Sequence, residues 1–239
     1  MAIYGYSERG VVNAMAYYLN ANSKYLHGFI EILGFSLEKK DYGEDYEILV
    51  DQSFSDFGVS DLIIILDNKS DKKIVVFIEC KIKTSQGTYN INNEFNKIDK
   101  AIKESDKITG ISSNLFVQLY YKHLLIVTDG GKCKEPNVNE IFKKSKGNPR
   151  IIGGNDIVKG AFNKIKNASD YYYVAIVPTA PNEMNSEEFK KKIDELGTMG
   201  MSMPSENAYL CYWGNIEKYF SDPASEVSVA FKYNDGQIY

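Results

Sequence analysis

The sequence predicts an α/β protein built on a central mixed β-sheet with helices on both faces. Three observations carry this. Two short β-branched runs, Leu62 to Leu66 and Ile74 to Ile78, flank the turn-forming cluster Asp67-Asn68-Lys69-Ser70-Asp71 and read as an antiparallel hairpin. Amphipathic helical patterns precede and follow it. Two more apolar runs, Tyr171 to Val177 and Tyr209 to Trp213, stand apart among helical stretches, as strands of an α/β sheet do. The chain has 239 residues, enough for one large domain. It has no internal repeat and no low-complexity linker. Residues 1–239 therefore read as one domain, with a core at about 5–129 and an elaboration of it over 130–239.

In chain order, Ser7 caps a helix running to about Asn20, whose apolar stripe is Val11, Val12, Met15, Ala16 and Leu19. A second helix spans Ser23 to Leu33 and stops at Gly34. Tyr46 to Gln52 is a strand leading into the hairpin. A polar helix covers Ile91 to Lys107, and another covers Ser112 to Tyr121. His123 to Thr128 reads as a buried strand, Gly130-Gly131 as a turn and Val138 to Lys144 as a short helix. Ile157 to Ile165 is helical, Pro178 to Pro181 a break, and Ser186 to Leu196 a helix capped at Ser186 and stopped by Gly197. A short helix ends at Phe220.

The hairpin is where chemistry concentrates. A loop centred near Ser70 places Asp61 opposite Glu79, Ile63 opposite Phe77 and Ile65 opposite Val75. The period of two puts all six on one face, joined by Lys81, with Cys80 turned the other way. Opposed side chains in an antiparallel pair lie about 5 Å apart at Cβ, and like charges there repel. Apolar flanks make two bare carboxylates costly unless one protonates or a cation binds. A hard divalent ion resolves the conflict, and Mg²⁺ takes one or two carboxylates while keeping several waters. The competing reading is that Asp61, Glu79 and Lys81 are solvated strand ends of an ordinary meander.

Ser60-Asp61, behind Gly58-Val59, together with Glu79-Cys80-Lys81, resembles the motif of the PD-(D/E)XK, or restriction-endonuclease-like, phosphodiesterase superfamily, with Ser60 standing where the family name has Pro. The resemblance covers about half the chain. It implies a restriction-endonuclease-like core with an antiparallel catalytic hairpin, and Mg²⁺-dependent hydrolysis of nucleic acid, foremost DNA, with Mn²⁺ able to substitute. Asp61, Glu79 and the backbone carbonyl of Cys80 would hold the metal. Lys81 would assist the attacking water. Family members often carry an acid on the helix before the hairpin that reaches toward the metal. Glu8 matches that position, although a Glu in a first turn is also what the helix macrodipole favours. Gln118 with Tyr121 resembles the Gln and Tyr helix motif of the exonuclease branch. Members are often dimers, so a homodimer is compatible.

Other candidate nucleic-acid contacts are Lys83 and Gln86 just past the hairpin, and Lys97 and Lys100 in a lysine stripe with Lys103 and Lys107. Glu94, Asp99, Glu104 and Asp106 are interleaved with that stripe, which equally suits a solvated helix face. Lys143, Lys144, Lys146 and Arg150 form a further basic stretch. The net charge of −4 does not exclude a nucleic-acid partner, because a local positive face decides binding and the acids of a metal site lower the total. Cys80, Cys133 and Cys211 lack zinc-ligand spacing and read as reduced thiols of a cytoplasmic protein. Neither a signal peptide nor a membrane span is predicted. His27 and His123 read as structural or surface residues, and the 18 tyrosines as sheet packing rather than base-stacking platforms.

Overall fold

A computed structural model of the chain describes residues 7–21, 23–35, 37, 45–67, 72–83, 89–104, 111–132, 150–178, 184–221 and 226–235. A five-stranded mixed sheet runs in the order β1 (Tyr46–Ser53), β2 (Val59–Asp67), β3 (Lys73–Cys80), β4 (Asp170–Val177) and β5 (Ala208–Tyr212). β1, β2 and β3 form an antiparallel meander, whereas β3, β4 and β5 are mutually parallel. β3 is thus the seam between the two halves. Ile74 to Cys80 are all buried, as a strand covered on both faces requires.

Eight α-helices are present among the described residues: α1 (Glu8–Ala21), α2 (Ser23–Ile32), α3 (Ile91–Glu104), α4 (Leu115–Val127), α5 (Asp156–Ile165), α6 (Ser186–Thr198), α7 (Trp213–Tyr219) and α8 (Glu226–Tyr233). The pleat divides them into two layers. Leu62, Ile64, Val76, Ile78, Val174 and Ile176 pack against α1, α2, α7 and α8. Ile63, Ile65, Val75, Phe77, Tyr173 and Ala175 pack against α3, α4, α5 and α6. The α1 stripe of Val11, Val12, Met15, Ala16 and Leu19 is buried as its spacing predicts. No helix among the described residues is long and apolar enough to cross a membrane.

Several boundaries differ from expectation, each for a local reason. His123 to Val127 is the second half of α4, with Thr128 its C-cap, and no strand forms there. That run, HLLIVT, is apolar on every side because α4 is buried almost all round, with Leu115, Phe116, Val117, Leu119, Tyr120, Leu124 and Leu125 in the core. Short apolar runs do not distinguish the two states by period. α4 also begins later than Ser112, at Leu115, with Asn114 accepting from the Phe116 amide. In α6 the cap is Asn185, not Ser186, because Asn185 and Glu188 form a reciprocal capping box. Gly197 does not stop that helix, which continues to Thr198 and ends before Gly200 at φ +97°. Trp213 opens α7 instead of ending β5. The helix expected at Val138 to Lys144, the hairpin turn at 68–71, and Lys107, Lys143, Lys144, Lys146 and Cys133 lie outside the described residues.

Tyr171, Tyr172 and Tyr173 are packing groups. Tyr173 is buried and stacks on Phe77 with centroids 5.8 Å apart. Tyr172 stacks on Phe35 at 4.6 Å, and the Tyr171 hydroxyl donates to the Ile165 carbonyl. His123 shares a 3.1 Å hydrogen bond with the Tyr173 hydroxyl, and burial lowers its pKa to about 4. The unfolded chain protonates this imidazole near pH 6.5 and the folded chain does not until about pH 4. Stability therefore falls as pH drops through that window, by up to about 3 kcal/mol. His123→Phe is expected to remove that part of the slope in urea titrations between pH 4.5 and 7; an unchanged slope refutes the assignment.

Candidate metal centre

The β2–β3 register pairs Leu62 with Ile78, Ile63 with Phe77 and Ile65 with Val75. Continued by one residue, it sets Asp61 across from Glu79. Alternation places both on the sheet face that carries Ile63, Ile65, Val75 and Phe77, the face covered by α4. Cys80 lies in the opposite core with Leu62 and Ile78, where burial holds its thiol protonated well above the usual range. Its amide donates to Asp61 Oδ2 at 2.7 Å, fixing that carboxylate against the β3 backbone. Ser60 is fully buried, and its hydroxyl donates to the Leu62 carbonyl.

Lys81 follows directly, and its backbone is held from two sides. Its N–H donates to the Ile176 carbonyl of β4, and its carbonyl accepts from Trp213 Nε1 at 2.7 Å. Its ammonium donates to Gln118 Oε1 on α4 at 2.5 Å. Gln118 therefore meets the predicted site through Lys81.

Glu79 is wholly buried, and neither carboxylate oxygen has a hydrogen-bond partner. Oε1 lies 3.1 Å from Nζ of Lys122, also wholly buried, in an ionic contact that lacks hydrogen-bond geometry. The Lys122 ammonium spends its hydrogen bonds on the carbonyls of Val59 at 3.0 Å and Phe57 at 3.3 Å. Gly58, at φ +82°, turns the chain so that both carbonyls face the same ammonium. A Cβ on Gly58 would stand 3.7 Å from Nζ.

Electrostatics join a third acid to the pair. Burial raises the Glu8 carboxyl to about 7, with Asp61, Glu79 and Asp51 adding to the rise and Lys81 opposing it. Burial likewise raises Glu79 to about 7, against the pull of Lys122 and Lys81. Asp61 is raised by burial, opposed by the Cys80 amide, Lys81 and Lys122. Three carboxylates thus sense one another at the open end of the hairpin. Among the described residues no three acidic, histidine or cysteine side chains come together as a ready-made ligand set. Two carboxylates and the Cys80 carbonyl could serve as a donor set of hard oxygens, and the Glu79 oxygens, which make no hydrogen bond, would suit a cation with waters on its remaining positions.

The other candidate contacts divide. Lys83 is half-buried just past the hairpin, and Gln86 lies outside the described residues. Lys97 and Lys100 are on the exposed face of α3, where Lys97 pairs with Glu94 at 3.5 Å and Lys103 with Asp99 at 2.7 Å, as in a solvated helix. Tyr121 does not offer a ring to a base: the Arg150 guanidinium lies 3.9 Å from its centroid and donates to its hydroxyl. Arg150 also donates to the Asp56 carbonyl, so it stitches 150–154 to the β1–β2 turn.

Lys122 and Tyr89 were not singled out by the sequence, and Trp213 was read only as a packing residue at a strand end. Lys122 had a signal, a lone lysine in the otherwise apolar run LYYKHLLIV. Tyr89 has a buried hydroxyl without a hydrogen-bond partner; its pKa is raised by burial, then by Glu94 and Glu8. No family model, characterised protein or solved structure matches this chain.

Proposed function

We propose that this chain is a Mg²⁺-dependent phosphodiesterase of the PD-(D/E)XK type, cutting nucleic acid, foremost DNA, as an endonuclease. The observation that carries the reading is the convergence of Asp61 and Glu79 on one sheet face, with the Lys81 ammonium next along it and both oxygens of the buried Glu79 lacking a hydrogen bond. Asp61, Glu79 and the Cys80 carbonyl would hold the ion, with Glu8 within electrostatic reach. Bound there, Mg²⁺ supplies Lewis-acid polarisation of the scissile phosphate and acidifies a water.

The protein's own groups do the rest. The Cys80 amide fixes the Asp61 carboxylate, which no longer depends on solvent for its orientation. Gln118 aims the Lys81 amine, which can hold a water against the phosphorus and offset charge that develops on the phosphate. Glu79 is wholly buried, which keeps bulk water from that carboxylate. Each group is placed before substrate arrives.

A second reading rests on the Glu79–Lys122 contact, which already gives Glu79 a cationic neighbour. On it, the site is silent and the fold binds nucleic acid without cutting. Supercoiled, linear and single-stranded DNA, and RNA, incubated with Mg²⁺, Mn²⁺ or EDTA, separate the two. Cleavage that needs the metal and disappears in Asp61→Ala is the expected result. Binding without cleavage favours the silent module, and neither binding nor cleavage leaves a structural or interaction domain.

A further inference from the structure

We propose that Lys122 is a built-in counter-cation of the metal centre: it compensates Glu79 while the site holds no ion, and it sets the metal affinity by competing with the ion for that carboxylate. The inference rests on the metal-centre reading above and extends it to a residue outside the resembling motif.

A lysine on a buried helix must satisfy three donor hydrogens without water. Lys122 places two of them on the Phe57 and Val59 carbonyls, both backbone groups beside the start of β2, and turns its remaining charge to the Glu79 carboxylate of β3 at 3.1 Å. One ammonium therefore ties the strand that delivers Asp61 to the strand that delivers Glu79. A carboxylate as fully buried as Glu79, with no cation near it, would not stay ionised. Lys122 lets the carboxylate persist, yet it leaves both Glu79 oxygens without a hydrogen bond. The pair is thus a charge balance that leaves coordination capacity free. A divalent ion brought to Glu79 enters the field of this fixed positive charge, in a medium that screens it poorly. Affinity is lowered, and the fold does not depend on the ion to form.

The test is Lys122→Met, which keeps the chain length and removes the charge. At pH 8, Mn²⁺ binding is followed by the electron paramagnetic resonance of the free ion, and thermal unfolding is recorded with and without Mn²⁺. The expected result has two parts. The metal-free variant melts roughly 10 °C below wild type, and Mn²⁺ restores most of that loss while moving wild type far less. The variant also binds Mn²⁺ about tenfold or more tightly. Wild-type binding of Mn²⁺ with an unchanged or weaker affinity in Lys122→Met overturns the counter-cation role and leaves the metal centre standing. Absence of Mn²⁺ binding by wild type overturns both. If Lys122→Met does not fold in either condition, the pair Lys122→Met with Glu79→Gln decides: recovery of at least half the lost melting temperature supports the charge balance, and no recovery overturns it.

Discussion

Lys81→Met is expected to slow phosphodiester cleavage by about 1000-fold without weakening Mn²⁺ binding. The two effects separate because the amine and the carboxylates come from different positions of one strand end. Asp61 is held by the Cys80 amide and Glu79 by its buried setting, and neither depends on the Lys81 side chain. Methionine keeps a chain of similar length, but it cannot donate to Gln118 or to a water. Asp61→Ala should behave differently, losing ion binding and cleavage together. Gln118→Leu should be milder, about tenfold, since it frees the Lys81 amine without deleting it. Single-turnover rates alongside metal titrations give the comparison. Full-rate cleavage by Lys81→Met would remove the amine from the mechanism.

Trp213→Ala is expected to cost about 4 kcal/mol of stability. The ring is wholly buried, sits edge-on to Phe231 at 5.9 Å and fills the core layer beneath α7. Its indole also reaches the site, donating to the Lys81 carbonyl at 2.7 Å. Trp213→Phe separates the two roles. It keeps most of the packing and deletes that hydrogen bond, at a cost of about 1–2 kcal/mol. Cleavage should then fall more than the lost stability explains, because the backbone that carries the Lys81 amine is less firmly fixed. Urea titration and turnover of both variants make the check. A Phe variant equal to wild type in both respects would show that the indole only fills space.

The hairpin and its register were legible from residues alone, because two β-branched runs around a turn cluster admit few pairings and a one-residue slip would expose every apolar side chain. The same logic put Asp61 and Glu79 on one face and Cys80 on the other. The α1 stripe was legible for the corresponding reason at period 3.6. α4 was harder. In its second half even the outward positions, Ile126 and Val127, are apolar, so no polar face marks the period, and Leu124 to Val127 carries no helix signature. Mistaking that half for a strand also hid Lys122, whose meaning appears only once it sits one residue beyond Tyr121 on a continuous helix facing Glu79. Trp213 was unreadable in its role, because its partner lies across the sheet at Lys81. The Arg150 guanidinium over the Tyr121 ring was not legible either, because the two residues are distant in sequence.

The position of β3 between an antiparallel and a parallel neighbour has a consequence for the order in which the chain acquires its structure. The meander β1–β2–β3 closes through nearby contacts, whereas β4 must return to β3 across everything from 81 to 169. Loop-closure entropy makes the second event the slower one. The carboxylates can therefore face each other early, but Lys81 is anchored only when Ile176 and Trp213 arrive. A nascent chain emerging from the ribosome would hold its acids in register well before its amine, and stay inert until β5 and α7 have docked.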